Sequence, residues 1–522
     1  MKLKYSAVVV GGSLGGVMAA YALSSQGIET ALIEETSWLG GQLTNQGVPS
    51  DEHKYIEFTG ATKTYRNFRN KIRDYYRNHP DIIDELKDKE IFNPGNGWVS
   101  RNSSDPRVCL QILNGMLKPF SKSGILDIFL NTMVIGAEKT ADAIDFVVVK
   151  NDDGVHFIEA EYFLDATDTG SLLPITKTDY VTGSESFFET NEPHAPEIGD
   201  PEDMQPITWT AAVGFNPNNT KIIEKPKMYD KFKNYLMPFG ESKLSWCTPG
   251  LAQGSKQEFS MFGINEPENK IGLFTYRQVI EKDYFKTSVP FSVMLINWAQ
   301  NDYIFGNIYD NPNSEYHKYA ARELTLSLIY WLQTEARRDD GEFGYPEICL
   351  VPEVLGTNDG LAMAPYIRES RRIKALYTIK EQDISRKYAK KPPHFKDSVG
   401  IGHYHIDLHM TTKTKTHFYD QAYPFQIPLG ALIPVKTKNL VAACKNIGTT
   451  HITNGCYRLH PVEWNIGESA GHLVAFSIKN KVTPKEIYEN DKLLKKYQEK
   501  LKNEGILLEW PHSVMEEYLW KY

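Results

Sequence analysis

The stretch Ala7-Val-Val-Val-Gly-Gly-Ser-Leu-Gly-Gly16 joins two apolar runs through a turn rich in glycine. In a dinucleotide-binding fold, the first glycine of such a turn ends the strand and the second lets the backbone approach a pyrophosphate. The third lets the following helix pack closely on the strand. Gly11 and Gly16 have the first and third positions, and Ser13 has the second. The stretch therefore predicts a strand, a tight turn and a helix whose N-terminus suits a phosphate.

A second strand, Thr30-Ala-Leu-Ile-Glu34, ends in an acid 23 residues after Gly11. Dinucleotide folds place the carboxylate that binds the adenosine ribose at about this distance. Lys2, Lys4 and the apolar run behind them also resemble a secretory signal peptide. Four glycines within six positions disfavour a signal-peptide helix, and the second strand supports the folded interpretation. We therefore predict a βαβ unit at the start of the chain.

A second glycine pair follows the acid, in Trp38-Leu-Gly-Gly-Gln-Leu-Thr44. With this pair the sequence resembles flavoproteins of the glutathione-reductase-like fold. GGSLGG and LGGQLT together resemble more closely a bacterial family of FAD-dependent oxidoreductases, whose members often have Ser or Thr in place of the second glycine. Further similar blocks lie at residues 93–101, 164–168, 367–373 and 439–448, and the last block continues through His451, Arg458 and residues 467–471. The resemblance implies that FAD is the cofactor.

The resemblance also implies a role in FAD binding for individual residues of these blocks. Those that would hold the pyrophosphate and the ribose are Gly11, Gly12, Ser13, Gly15, Gly16 and Glu34. Those that would run beside the pyrophosphate, the ribityl chain and the ring are Gly40, Gly41, Gln42, Leu43 and Thr44. Val134 would contact the adenine, and Ala166 belongs to the family's Ala-Thr-Gly turn, in which Asp168 replaces the glycine. The closing segment contributes Arg458, Gly467, Glu468, Ser469 and Gly471. There the N-terminus of a helix would face the flavin O2 edge, where reduction places negative charge.

The expected fold class is α/β. We predict a Rossmann-like FAD-binding domain with a βαβ unit and a central parallel sheet, and a second substrate domain of mixed α+β structure. The first domain would comprise residues 1–175 and 395–480, the substrate domain residues 176–394, and a helical tail residues 481–522. Apolar spacing predicts helices over 63–78, 108–122, 317–338, 461–480 and 484–504. Short strands are predicted over 125–130, 132–138, 143–150, 155–160 and 161–166.

Composition excludes several classes of partner. The net charge of −8 over 522 residues argues against a nucleic-acid-binding surface, and no apolar run reaches the ~20 residues of a membrane span. The five cysteines are widely spaced and lack a CxxC pair, which disfavours disulfides and cysteine-ligated metals. We therefore expect a cytoplasmic protein with a small-molecule substrate and no metal. A redox partner and a homo-oligomer stay open.

Histidine is the usual proton carrier in such chemistry, and three histidines are the candidate catalytic residues. His451 lies near the segment presumed to face the flavin. His403 and His405 belong to Gly402-His-Tyr-His-Ile-Asp-Leu-His409, where alternate residues of a strand would share one face. That face is a substrate wall, a metal site or a plain solvated surface. Of the arginines at 368, 371 and 372, at least one is expected in a structural salt bridge.

These features lead to one functional interpretation and two alternatives. The first is an FAD-dependent oxidoreductase, a dehydrogenase or oxidase, that takes a hydride from a small organic substrate onto flavin N5. The second is a flavin reductase or electron-transfer subunit fed by a partner. The third is a non-catalytic carrier on the same scaffold, which the intact glycine pairs and the 467–471 block disfavour.

Overall fold

The computed structural model describes residues 2–252, 254–263 and 272–519. Its strands are, in chain order, β1 (Lys2–Val10), β2 (Thr30–Ile33), β3 (Leu126–Phe129), β4 (Met133–Thr140), β5 (Ala143–Asn151), β6 (Gly154–Asp165), β7 (Tyr180–Val181), β8 (Ile207–Thr208), β9 (Ala211–Phe215), β10 (Cys247–Pro249), β11 (Lys256–Glu258), β12 (Gln278–Ile280), β13 (Val293–Ile296), β14 (Asp302–Tyr303), β15 (Ile348–Leu350), β16 (Arg372–Ile373), β17 (Ser398–Gly402), β18 (Ile406–Leu408), β19 (Phe418–Asp420), β20 (Phe425–Pro428) and β21 (Leu440–Ala442).

The helices that the described residues form are α1 (Leu14–Ser25), α2 (Lys63–Arg77), α3 (Asp84–Lys87), α4 (Pro106–Lys122), α5 (Leu172–Ile175), α6 (Phe187–Thr190), α7 (Tyr229–Lys233), α8 (Leu273–Tyr276), α9 (Ser314–Thr334), α10 (Pro352–Leu355), α11 (Glu381–Ile384), α12 (His451–Asn454), α13 (His460–Asn480), α14 (Pro484–Glu489), α15 (Asp491–Glu504) and α16 (His512–Leu519). None of these helices has both the length and the apolar composition needed to span a membrane.

Within the described residues, seven strands form the central sheet in the order β3-β2-β1-β6-β5-β4, with β21 also paired to β6. The pairs β1–β2, β2–β3, β1–β6 and β6–β21 are parallel, whereas β4 and β5 form an antiparallel extension. The apolar residues Ala7, Val8 and Val9 are fully buried, as expected for a parallel strand covered on both faces. The predicted βαβ unit and parallel sheet are confirmed.

Helix α13 packs along α1 at very short range because glycines remove the side chains between them. A Cβ added to Gly467 would lie 2.0 Å from the carbonyl oxygen of Gly15, and one added to Gly471 would lie 2.4 Å from that of Ala19. The C-terminal third of the chain is thereby fixed against the N-terminal dinucleotide motif.

Substituting alanine for Gly467 is expected to lower the free energy of unfolding by ~1–3 kcal/mol, the usual cost of overpacking a tight contact. The matched control is Gly115→Ala in α4, where an added Cβ meets no atom within 4 Å. That change is expected to stabilise the protein by ~0.5–1 kcal/mol, because alanine loses less backbone entropy than glycine. Urea unfolding of both variants measures the difference, and equal stabilities would contradict the close helix contact.

A second core surrounds the antiparallel sheet β12-β13-β9-β15 and helix α9. Its buried apolar residues come from positions 204–367, whereas the first core draws on positions 7–173 and 373–508. The predicted mixed α+β part of the chain is therefore present as a separate apolar core, inserted between the two halves of the first.

Three expectations from the sequence are wrong in detail. Residues 154–165 form one long strand, β6, where two strands were predicted. The 484–504 segment is two helices, α14 and α15, where one was predicted, and Leu494, Tyr497 and Leu501 of α15 are buried in the first core. The segment 402–409 is not one strand, because β17 ends at residue 402 and β18 covers only residues 406–408.

Candidate functional site

The glycine turn after β1 has the conformation that its sequence predicts. Gly11 has φ +98°, and a Cβ there would lie 2.4 Å from the carbonyl oxygen of Ala166, so only glycine fits at this left-handed position. Ser13 caps α1, because its Oγ accepts the Gly16 N–H at 3.2 Å. The turn therefore places Ala166, a predicted cofactor-binding residue, against Gly11. It also directs the N-terminus of α1 at the predicted pyrophosphate site.

Glu34 lies at the end of β2, directly beside this turn. Its Oε2 accepts the Gly12 N–H at 2.7 Å, and its Oε1 accepts the N–H of Thr36 at 2.8 Å and the hydroxyl of Thr36 at 2.7 Å. Burial raises the pKa of Glu34 to about 7, although these hydrogen bonds act in the opposite direction. The Thr132 N–H donates to the Glu34 carbonyl, so the strand that carries Val134 starts next to the same acid.

Replacing Glu34 with alanine is expected to weaken FAD binding by ~1–3 kcal/mol, because a charge-assisted contact to the ribose is lost. Titration of the apoprotein with FAD measures this change. The control is Glu35→Ala, which removes the neighbouring exposed acid and should leave the FAD affinity within about twofold, as for most surface substitutions. If the two results are reversed, Glu35 is the residue that binds the ribose.

The segment 40–46 runs from the glycine turn into the interior. Gly40 has φ +110°, and its N–H donates to the Gly12 carbonyl at 2.7 Å. Thr44 turns back to donate its hydroxyl to the Leu39 carbonyl at 2.6 Å. Amide oxygens of three buried side chains in this segment lack a hydrogen-bond partner, those of Gln42, Asn45 and Gln46. Ribityl hydroxyls and the flavin N3–H are donors, so these orphaned acceptors fit the predicted FAD path.

A buried lysine links this segment to the dinucleotide turn. The Lys445 ammonium forms ion pairs with Asp168 and, at 3.0 Å, with Glu463, and it lies 3.8 Å from Cys444 Sγ. Asp168, Cys444 and Glu463 have the spacing of metal ligands, and within the described residues no other group of His, Cys, Asp and Glu does. The ammonium contacts each of the three, so the cation present at this point is the lysine itself.

Glu463 connects the Lys445 ion pairs with the N-termini of α1 and α13. It lies in the first turn of α13, and its Oε1 accepts the Gly15 N–H of α1 at 3.2 Å, while its Oε2 accepts the Gln42 amide at 2.6 Å. Burial would raise the pKa of Glu463, but Lys445 outweighs it and holds the pKa below its ordinary value. For Asp168 burial prevails and the pKa is raised. Of the two carboxylates, Lys445 therefore stabilises the charged form of Glu463 more strongly.

The residues of the 467–471 block lie deeper in α13 than the sequence suggested. The helix begins at His460, so this block forms its second and third turns. Gly467 and Gly471 contact α1, Glu468 accepts the Thr64 hydroxyl at 2.6 Å, and Ser469 donates to the Val399 carbonyl at 2.7 Å. The helix N-terminus is formed by residues 460–463 instead, which corrects the expectation that this block lies at the flavin-facing end.

A cavity of about 240 Å³ lies beside this helix start and is called here the arginine cavity. Its charged and phenolic lining residues are Arg277, Arg368, Arg458, Asp51, Asp407, His409, Tyr276, Tyr366 and Tyr404. Arg458 connects the cavity with segment 40–46. Its carbonyl accepts the Gln42 amide at 3.2 Å, and its guanidinium donates to Asp407 at 3.0 Å and to the Tyr366 hydroxyl at 3.0 Å.

His409 is the histidine that lines the arginine cavity, and it was not among the three sequence candidates. Its Nδ1 lies 2.6 Å from Asp302 and its Nε2 lies 3.5 Å from Asp407. The imidazole is thus held between the buried carboxylate of Asp302 and the partly exposed carboxylate of Asp407. The alternation of histidines over 403–409 was the available signal, but the break between β17 and β18 gives each of them a different environment.

The predicted catalytic residues lie elsewhere. His451 is buried at the edge of another cavity, of about 420 Å³, and its Nδ1 is 2.9 Å from Glu369, which raises its pKa against the effect of burial. His403 contacts Trp510 and the Tyr518 hydroxyl of the C-terminal segment, and burial lowers its pKa to about 3. His405 is stacked on Tyr404, with ring centroids 3.9 Å apart. Their catalytic role stays a prediction.

The three arginines near residue 370 are all paired. Arg372 forms ion pairs with Glu369 and Glu185, and Arg371 with Asp310 at 3.0 Å. Arg368 pairs with Asp302 at 2.9 Å. The expected structural salt bridge is confirmed for Arg372, and only Arg368 of the three lines the arginine cavity.

Comparisons with known proteins give a family match over most of the chain. The family model described as FAD dependent oxidoreductase matches residues 7–501. No sequence among the curated proteins matches significantly.

Solved structures match at low identity. L-proline dehydrogenase from P. horikoshii is 15% identical over 35% of this chain and 24% of its own, with a TM-score of 0.19. A geranylgeranyl bacteriochlorophyll reductase-like protein from Thermoplasma acidophilum is 11% identical over 97% of this chain and 85% of its own, with a TM-score of 0.35. A structure of p-nitrophenol 4-monooxygenase from Pseudomonas putida DLL-E4 is 10% identical over 99% of this chain and 92% of its own, with a TM-score of 0.35.

Proposed function

This chain belongs to the family of FAD-dependent oxidoreductases, and we propose that it is a dehydrogenase or oxidase that takes a hydride from a small organic substrate onto flavin N5. We assign the arginine cavity as the place where that substrate binds. Its volume of about 240 Å³ suits a small molecule. FAD is the cofactor, and the glycine turn, Glu34 and segment 40–46 are the residues that would hold it.

One observation supports the choice of the arginine cavity as the substrate site. Arg458 belongs both to the cavity wall and to the hydrogen-bond network of Gln42, in the segment whose orphaned amide oxygens fit the cofactor. Asp51, another wall residue, donates its N–H to His460 at the start of α13 at 3.0 Å. The cavity therefore adjoins the cofactor segment and the helix N-terminus through direct contacts.

The chemistry divides between cofactor and protein. FAD, when bound, supplies the acceptor for the hydride, which carries both electrons of the oxidation. The chain must hold the substrate and accept the proton that leaves it. His409 is suited to this, because it lines the cavity and its imidazole is held between Asp302 at Nδ1 and Asp407 at Nε2, within reach of a molecule whose proton it would accept. Once the ring is protonated, Asp302 and Asp407 both stabilise its charge.

The test is an anaerobic screen of the purified flavoprotein against small alcohols, amines, hydroxy acids and amino acids, with NADH and NADPH included. Loss of the oxidised flavin absorbance band with an organic donor, at a rate that rises with donor concentration, supports the proposal. Bleaching by a nicotinamide donor and by none of the organic donors would overturn it in favour of the reductase interpretation.

A further inference from the structure

The walls of the arginine cavity contain an unusual excess of unsatisfied hydrogen-bond donors. The buried side-chain nitrogens without a partner are Nε and Nη1 of Arg277, Nδ2 of Asn297, Nε1 of Trp298, Nε2 of Gln300, and Nε of Arg368 and Arg458. All of these residues line the cavity. The one unsatisfied acceptor among the same side chains is Gln300 Oε1. Buried donors without partners are costly, so such a set indicates a ligand rich in acceptors.

Three of the residues that carry these donors lie at one end of the antiparallel sheet β12-β13-β9-β15. Arg277 immediately precedes β12, and its carbonyl accepts the Leu295 N–H of the neighbouring strand β13 at 3.1 Å. Asn297 and Trp298 immediately follow β13. Because β12 and β13 are antiparallel, the start of one lies beside the end of the other. The three side chains therefore converge on the same cavity.

Arg277 differs from the other two arginines in the distance to its counter-charge. Arg368 lies 2.9 Å from Asp302 and Arg458 lies 3.0 Å from Asp407. Among the residues that the structure describes, the carboxylate nearest to Arg277 is Asp51, at 4.0 Å, although the arginine is only 9% exposed. A buried guanidinium with two unpartnered nitrogens is destabilising unless an anion completes its shell.

The surrounding wall adds an apolar and aromatic component. Tyr276 lies against the Arg277 guanidinium, with 5.1 Å from Cζ to the ring centroid. Tyr366, Tyr404 and Phe259 form other parts of the wall. A ligand that matches both features has an anionic group for the donors and an apolar body for the rings.

We propose that the arginine cavity recognises a carboxylate, with Arg277 as the residue that binds it and with Trp298 and Asn297 as additional donors. This inference rests on the proposed function and narrows its substrate class to small organic acids. The carboxylate of such a substrate is a closer counter-ion for Arg277 than Asp51, and its oxygens accept hydrogen bonds from the unpartnered donors.

Benzoate is a suitable probe, and benzamide is its neutral counterpart of the same shape. Calorimetric titration of the purified flavoprotein measures binding of each, and a difference spectrum of the flavin reports whether the probe lies near the ring. We expect benzoate to bind at least tenfold more tightly than benzamide. Equal affinities, or no binding of benzoate, would overturn the proposal.

Variants at the cavity wall are expected to act in opposite directions. Arg277→Gln should weaken benzoate binding about 100-fold, as for loss of one partner of a buried charge pair. Arg277→Lys keeps the charge, so its affinity for benzoate should lie between those of wild type and Arg277→Gln. Asp51→Asn removes a competing negative charge and should strengthen binding several-fold. Trp298→Phe keeps an aromatic ring and loses one donor, so it should weaken binding about 3–10-fold.

The control is Arg322→Gln, which removes a positive charge from α9 outside the cavity, where Arg322 is paired with Asp359. It should leave benzoate binding unchanged. If Arg277→Gln fails to fold, the opposite effects of Asp51→Asn and Trp298→Phe still decide the matter. Benzoate affinity that does not respond to any of these cavity variants would overturn the proposal.

The same variants separate this inference from the function on which it rests. Benzoate binding that depends on Arg277, in a protein whose flavin no organic donor reduces, would support the carboxylate site and contradict the proposed function. Flavin reduction by a neutral alcohol or amine at equal rates in wild type and Arg277→Gln would support the function and overturn the carboxylate proposal.

Discussion

Replacing Lys445 with methionine is expected to lower the free energy of unfolding by about 3–5 kcal/mol, the cost of leaving buried carboxylates without their counter-charge. The lysine is 1% exposed and pairs with Asp168 and Glu463. Burial alone would lower the pKa of Lys445, but the neighbouring acids hold it well above its ordinary value, so the ammonium is charged at neutral pH. Its removal leaves Glu463 ionised between two helix N-termini. Denaturant unfolding with and without FAD measures the loss.

A surface pair of similar geometry is the matched control. Lys436 lies 2.6 Å from Asp179, but the two side chains are 64% and 39% exposed. Lys436→Met should change stability by no more than ~0–1 kcal/mol. Adding Glu463→Gln to Lys445→Met should recover part of the loss, because it removes the unpaired charge. Equal effects of the two lysine substitutions would mean that the buried network contributes no more than a surface ion pair.

The βαβ unit could be predicted from sequence because its signals are local. Gly11, Gly16 and Glu34 have roles set by the backbone of one turn and by the length of one helix. For Gly467 and Gly471 the sequence predicts a cofactor contact, whereas the structure shows a contact with a helix. A glycine in a helix indicates that another group lies close to the helix backbone. The sequence does not show whether that group is a ligand or another helix. Here the approaching group is the backbone of α1 at Gly15 and Ala19.

The site residues beyond the cofactor motif depend on contacts between distant parts of the chain. Lys445 meets Asp168 across 277 positions, and Glu463 meets Gln42 across 421 positions. Neither pairing has a local pattern. Arg277 lies between residues 210 and 360, a region with little periodicity and with no block similar to the FAD-dependent oxidoreductase family. From the sequence alone, a single arginine there is expected to be a surface residue. Its importance arises from its burial and from its distance of 4.0 Å to Asp51, the nearest carboxylate among the described residues, and both are visible only in the folded structure.

The histidines illustrate how a local pattern loses its meaning where a strand ends. Period-two spacing over 403–409 predicts one shared face, but a strand keeps that face only while it continues. Because β17 ends at residue 402, His403 turns to the C-terminal helix α16, and His405 stacks on Tyr404. Of the three histidines at 403, 405 and 409, only His409, beyond the end of β18, meets both the buried carboxylate of Asp302 and the arginine cavity.

Substituting asparagine for His409 is expected to slow flavin reduction about 100-fold or more while FAD stays bound, because general acid–base groups contribute 10²–10⁴-fold. Rapid mixing of the anaerobic protein with the substrate from the screen measures the rate. His405→Asn is the matched comparison: it removes an imidazole from the same segment that does not line the arginine cavity. A loss of rate in His405→Asn or His451→Asn, with His409→Asn unaffected, would return the role to the residues that the sequence favoured.

Chemical rescue distinguishes a proton acceptor from a residue that merely shapes the cavity. His409→Ala leaves space beside Asp302, and the cavity of about 240 Å³ can admit free imidazole. Added imidazole should then restore flavin reduction in a concentration-dependent manner, whereas it should have no effect on wild type or on His405→Ala. Without rescue, and with a substrate dissociation constant that rises in parallel with the loss of rate, His409 would be a positioning residue. The proton would then leave through another group in the cavity.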